Sequence, residues 1–153
     1  MFGLPDFVFY LISGAIAAFC ISVGRIIGEK YIPNFPDMPL LLGRLIDWGK
    51  PEPAPAKRVL GRYLHLGSGA LWGLFYGVLV EQQFFFVEFT VVSGVMFAVI
   101  PWLFLMVVLL PLTGSGFFGV KISAYQWLLG LSLHVIYGVV LGLLSAMFTG
   151  YKF

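Results

Sequence analysis

Four long runs of nearly uncharged residues decide what this chain can become: Phe7 to Ile27, Tyr63 to Val80, Phe89 to Leu112 and Leu128 to Phe148. Each has the roughly 17–25 residues that an α-helix needs to cross a ~30 Å hydrocarbon core. No water-soluble fold hides four such runs in 153 residues, of which 60% are hydrophobic and 10% charged; soluble domains average about 25% charged. The runs are continuous rather than alternating, which excludes a β-barrel. The expected fold class is therefore all-α, a polytopic integral membrane protein with one domain over 1–153. Its spans are expected at about 7–27, 62–81, 88–112 and 128–149. Before the first run the only charged side chain is Asp6. A run of that length without a basic leader reads as a retained span and not as a signal peptide.

Charge sets the expected topology. Arg25, Lys30, Arg44, Lys50, Lys57, Arg58 and Arg62 fall between spans one and two, and Lys121 between spans three and four. Lys152 alone lies on the other side. This asymmetry predicts a plasma or inner membrane protein with both termini outside and the main loop, 28–61, in the cytoplasm. The turn around Glu81-Gln82-Gln83 is short, so spans two and three are expected to form an antiparallel hairpin, and the chain as a whole two tandem hairpins. In the main loop, Asp37 is placed to cap an amphipathic helix from Met38 to Trp48 lying on the inner membrane face. Pro51-Glu52-Pro53-Ala54-Pro55 then predicts an extended polyproline strap. Pro101 is expected to kink span three and Pro111 to end it.

A motif, His-x3-Gly-x3-Gly, occurs twice. Span two has His65, Gly69 and Gly73, followed by Gly77; span four has His134, Gly138 and Gly142, preceded by Gly130. At i, i+4 spacing these residues form one helical stripe headed by an imidazole. Counted from the outer ends, His65 stands sixteen residues before Glu81 and His134 sixteen before Gly150, about 24 Å from the outer surface in each case. The spacing predicts two imidazoles at one depth, facing into the bundle. Such a pair could ligate a haem b iron or, singly, a chlorophyll-type magnesium. The alternative is that each ring donates to a serine hydroxyl or a backbone carbonyl and clamps the helices. The candidate cofactor-binding set is His65, His134, Gly69, Gly73, Gly138, Gly142, Tyr76 and Tyr137, with the two histidines as metal ligands only if haem or pigment is bound.

All four spans also carry a small-x3-small pair: Gly14/Ala18, Gly69/Gly73, Gly94/Ala98 and Gly138/Gly142. Lipid gives helices no hydrophobic reason to associate, so close approach across small residues holds such bundles together. The glycines beside the histidines therefore either pack helices, the commoner use, or make room for a flat ring. Bound lipids and neighbouring membrane subunits are the expected partners; nucleic acid is not, because the basic residues follow the membrane face.

Other chemistry lacks its residues. Cys20 is the only cysteine, which removes internal disulfides, CxxC redox pairs and multi-cysteine metal sites. Glu88 is too shallow to serve as a transporter's buried carboxylate. Gly114-Ser115-Gly116-Phe117-Phe118-Gly119 spells G-x-G-x-x-G but has neither a preceding strand nor a following acid, so it is read as a turn. No Ser/His/Asp set exists, and no enzyme is expected. Tyr76 and Tyr137, inside spans two and four, would bond across the bundle or touch a quinone.

A glycine- and alanine-rich first helix ends near Arg25, and a proline-containing loop follows it. Then come Leu64, His65, Gly69, Gly73 and Tyr76, with a second copy at Leu133, His134, Gly138 and Gly142. Over most of its length the chain thereby resembles the uncharacterised YagU-like group of small prokaryotic four-helix membrane proteins. That resemblance implies the fold and supplies no activity. The expected function is an accessory or structural subunit of a larger energy-converting or transport complex. A haem- or pigment-binding electron-transfer subunit using His65 and His134 is the alternative, and a small transporter the third.

Overall fold

A computed structural model of the chain describes residues 6–32, 35, 37–46 and 54–150, and its regular structure is entirely helical. In chain order the helices are α1 (Asp6–Tyr31), α2 (Met38–Leu45), α3 (Ala54–Glu81), α4 (Val91–Leu112) and α5 (Gln126–Thr149). All but α2 are long and apolar enough to cross a membrane. The protein is an all-α, polytopic, four-span membrane protein.

Glycine sets how these helices meet. A Cβ placed on Gly14 of α1 would strike the Gly69 carbonyl and stand 2.8 Å from Gly73 Cα and 2.9 Å from Gly73 N. A Cβ on Gly94 of α4 would strike the Gly138 carbonyl and stand 2.9 Å from Gly142 Cα and 2.8 Å from Gly142 N. The two contacts agree to a tenth of an ångström, although the paired residues differ by 80 positions in one helix and 69 in the other. Likewise the Tyr10 carbonyl abuts Gly73 as the Thr90 carbonyl abuts Gly142. The repeated motif is thus a repeated structure: α1 packs on α3 as α4 packs on α5, backbone to backbone.

The two hairpins join unequally. α1 also packs along α5, with Phe9 against Phe148 at 4.9 Å between ring centroids. The predicted hairpin of spans two and three is antiparallel but not closely packed. Aromatic rings hold α3 and α4 apart: Trp72 and Tyr76 meet Phe97 at 6.2 and 5.2 Å, and Trp72 meets Phe104 at 5.8 Å. A short connection fixes direction, whereas backbone contact needs small residues on both faces, and here the facing residues are the bulkiest available. Above the rings, the Tyr76 hydroxyl bonds Ser93 Oγ at 2.7 Å, and Ser93 itself closes a capping box with Thr90 at the start of α4.

α2 begins as the sequence predicts. Asp37 caps it, accepting from the Leu40 amide at 3.2 Å. It ends at Leu45, however, so Asp47 and Trp48 of the expected helix lie outside the described residues, as do Pro51, Glu52 and Pro53 of the expected strap. Ala54 and Pro55 are not part of an extended strap; they form the first turn of α3, where proline costs no hydrogen bond. The added turns of α3 give α2 something to dock on. Gly43 lies against the Lys57 carbonyl and Gly61 against the Pro39 carbonyl, and Arg58 Nε reaches Asp37 Oδ2 at 2.6 Å.

In α4, Pro101 lacks the N–H that would continue the ladder. The helix widens one turn later into a π-turn at Leu105–Leu109, where the Leu110 amide reaches back to the Leu105 carbonyl. Pro111 sits in the final turn, which closes at Leu112.

Candidate functional site

Where α3 and α4 stand apart, the end of the bundle nearest α2 holds a cavity of about 130 Å³. All four spans line it. Phe35 and the Met38, Pro39 and Leu42 side of α2 form its floor, and the π-turn of α4 contributes Leu105 and Leu109 to one wall. The widened turn and the aromatic spacers open the same space from two directions.

His65 and His134 both line this cavity, half-buried. His65 Nε2 lies 3.2 Å from the Ala18 carbonyl across the α1–α3 interface. His134 Nδ1 lies 2.8 Å from the Gly130 carbonyl one turn back on its own helix. A carbonyl only accepts, so each of these nitrogens carries its ring's proton and the other nitrogen keeps a lone pair. The Tyr137 hydroxyl donates to the Gly69 carbonyl at 2.8 Å. Tyr137 is three residues above His134 and Gly69 four above His65, so the imidazoles lie within about one turn of each other in depth.

The remaining candidates separate from this site. Gly69 lines the cavity edge, but Gly73, Gly138 and Gly142 are buried in helix interfaces. Tyr76 belongs to the aromatic spacer and the cap of α4. The groove beside each histidine, offered by the sequence to a flat ring, is filled by the backbone of α1 or α4. A porphyrin or chlorin does not fit there. Among the described residues no group of three or more His, Cys, Asp or Glu could hold a metal ion.

Sequence reading missed Gln126. It has no role among the sequence-based expectations, yet Gln126 is 1% exposed while its neighbours Tyr125 and Trp127 face outward. Gln126 stands in the cavity wall, and its Oε1 is enclosed without a hydrogen-bond partner. The loop below makes this burial possible. Gly119, at φ +70°, presses against Gln126 Cγ so closely that a Cβ there would collide with it. The signal was available: Gln126, Gly130, His134 and Tyr137 share one helical stripe at i, i+4, i+8 and i+11. Arg25 lines the cavity mouth from α1 in ion-pair contact with Glu29 on its own helix.

This arrangement is one to compare with known proteins. The chain belongs to the family of unknown function DUF6789, whose model matches residues 9–152. No curated protein and no solved structure matches it. Membership covers both hairpins and the cavity between them, so the site lies wholly inside the family's own extent.

Proposed function

We propose that the protein is a small, non-catalytic membrane subunit that binds one amphipathic small molecule in the cavity between its two hairpins. The single observation that carries this reading is the pair of imidazoles, His65 and His134, each lining a mostly apolar space with one ring nitrogen bonded to a carbonyl and the other left with its lone pair. A buried acceptor without a partner costs roughly 1–3 kcal/mol, a cost that an occupant with a complementary group removes. The cavity is comparable in size to apolar cavities that take up benzene. With the main loop in the cytoplasm, as the distribution of Lys and Arg suggests, the cavity lies in the cytoplasmic leaflet. The gap between α3 and α4 is its entrance from lipid.

Photocrosslinking tests this. With the full chain in lipid nanodiscs, an amphiphile carrying a diazirine should label peptides covering 101–109 and 126–137. Labelling confined to outward-facing residues such as Leu71 or Val92 would refute a bound molecule.

A second reading, the accessory subunit of a larger complex, draws on the outer face of α3. Gly67 has nothing within 4 Å of where its Cβ would stand. Its neighbours one turn away, Tyr63 and Leu71, are 71% and 65% exposed. Such a notch suits a neighbouring helix. Gly67→Trp should lower the apparent size of the native assembly on blue native gels while leaving cavity labelling intact.

A further inference from the structure

We infer that the cavity selects a neutral, hydroxyl-bearing amphiphile whose head is about the size of one ring; this rests on the binding role proposed above. The argument is an inventory of donors and acceptors. Five donors around the cavity are already committed to backbone carbonyls. They are His65 Nε2 and His134 Nδ1, the Tyr137 hydroxyl, and the hydroxyls of Ser22 and Ser68, which donate to Ala18 and His65 at 3.2 and 2.9 Å. What these groups leave unused are the lone pairs of His65 Nδ1 and His134 Nε2. The complementary occupant brings a hydrogen to share.

Charge narrows the choice. Among the described residues no carboxylate lines the cavity, while Arg25 does, so a cation would be repelled and left without a counter-ion. A carboxylate would turn its own lone pairs toward those of the imidazoles, and the Arg25 charge is already engaged by Glu29. A hydroxyl suits both kinds of remaining group: it donates to a lone pair, and its oxygen can accept from the Gln126 amide or the Trp72 indole. The apolar walls, with Trp72 and Phe104 facing the gap, take the ring and lead its tail into lipid.

The test compares three probes with one tail and one ring, namely 4-decylphenol, 4-decylanisole and 4-decylbenzoate. Each is partitioned into nanodiscs with and without the full-length protein. The phenol should bind about tenfold more tightly than the anisole, the value of one buried hydrogen bond to an otherwise unpaired acceptor, and more tightly than the benzoate. The double variant His65→Phe, His134→Phe should remove most of that preference. Of the two single variants, the one that removes the accepting imidazole should lose the preference and the other keep it. Equal affinity for phenol and anisole, or tightest binding of the benzoate, overturns the hydroxyl inference and leaves amphiphile binding standing. Protein-dependent uptake of none of the three means a water-filled cavity and overturns both.

Discussion

Tyr137 and Gln126 sit eleven residues apart on one stripe of α5, and burial has opposite consequences for them. Tyr137 is buried with its hydroxyl bonded to the Gly69 carbonyl, so Tyr137→Phe should destabilise the bundle by about 0.5–1 kcal/mol, a usual value for a hydrogen bond between membrane helices. Unfolding in SDS titrations would measure it, and no change would mean that the contact between α5 and α3 contributes nothing. Gln126 has no such partner for its oxygen, so Gln126→Leu should raise stability in the same assay, because it removes an unpaired acceptor at little change in volume. The shared face of the histidines was legible from glycine spacing, which fixes helix phase, and their similar depth from the equal sixteen-residue counts to the outer span ends. The glycines' role was not legible: the same Gly-x3-Gly serves a ring or a neighbouring helix, and only the position of α1 and α4 decides between them. Gln126 was hidden for a related reason. A glutamine at the start of a span reads as interfacial until the fold of the following loop, here with Gly119 pressed on it, is known.

At the scale of elements, α2 is the part whose attachment depends on a few named contacts. Gly43 and Gly61 let it lie directly on the backbone of α3, and Gly61→Leu should lift it off, opening the floor of the cavity. A fluorophore at Arg44→Cys, with Cys20→Ser, would report this as increased quenching by a water-soluble quencher. The Asp37–Arg58 pair adds a pH dependence. Partial burial raises the Asp37 carboxyl, but the hydrogen bonds from Arg58 and Leu40 and the charges of Arg58 and Arg25 outweigh it, holding the group below its ordinary 3.8. A group depressed in the folded state stabilises fully above its unfolded value and loses that contribution as pH falls through the folded one. Docking of α2 should therefore hold from pH 7 to about 4 and weaken below it. Arg58→Gln should move the loosening to higher pH, and an unchanged profile would mean that the pair does not hold α2. The cap and the start of this helix followed from Asp37 alone. Its docking did not, because Ala54 and Pro55 read as a strap until α3 is seen to begin there.

The whole molecule is two hairpins of one design, docked along α1 and α5 and spread apart along α3 and α4. The shared design makes a quantitative prediction. Gly14→Leu and Gly94→Leu push against the same backbone atoms of the partner helix at the same distances, so both should destabilise, and by similar amounts. A large inequality would show that the hairpins do not contribute alike. Shared design also fixes relative direction: α1 and α4 run one way, α3 and α5 the other, so the cavity, α2 and the Gly114–Gly119 turn all gather at one end. Eight of the nine Lys and Arg residues belong to that end or its connections, and a membrane protein keeps such residues in the cytoplasm. Both termini are therefore expected outside. In a Cys20→Ser background, a cysteine at Asp6 or Gly150 should react with a membrane-impermeant maleimide added to intact cells, and one at Arg44 or Lys121 only after permeabilisation. The reverse pattern would place the cavity in the outer leaflet and make its entrance from lipid face the other compartment, so this one measurement decides which side of the membrane supplies the bound molecule.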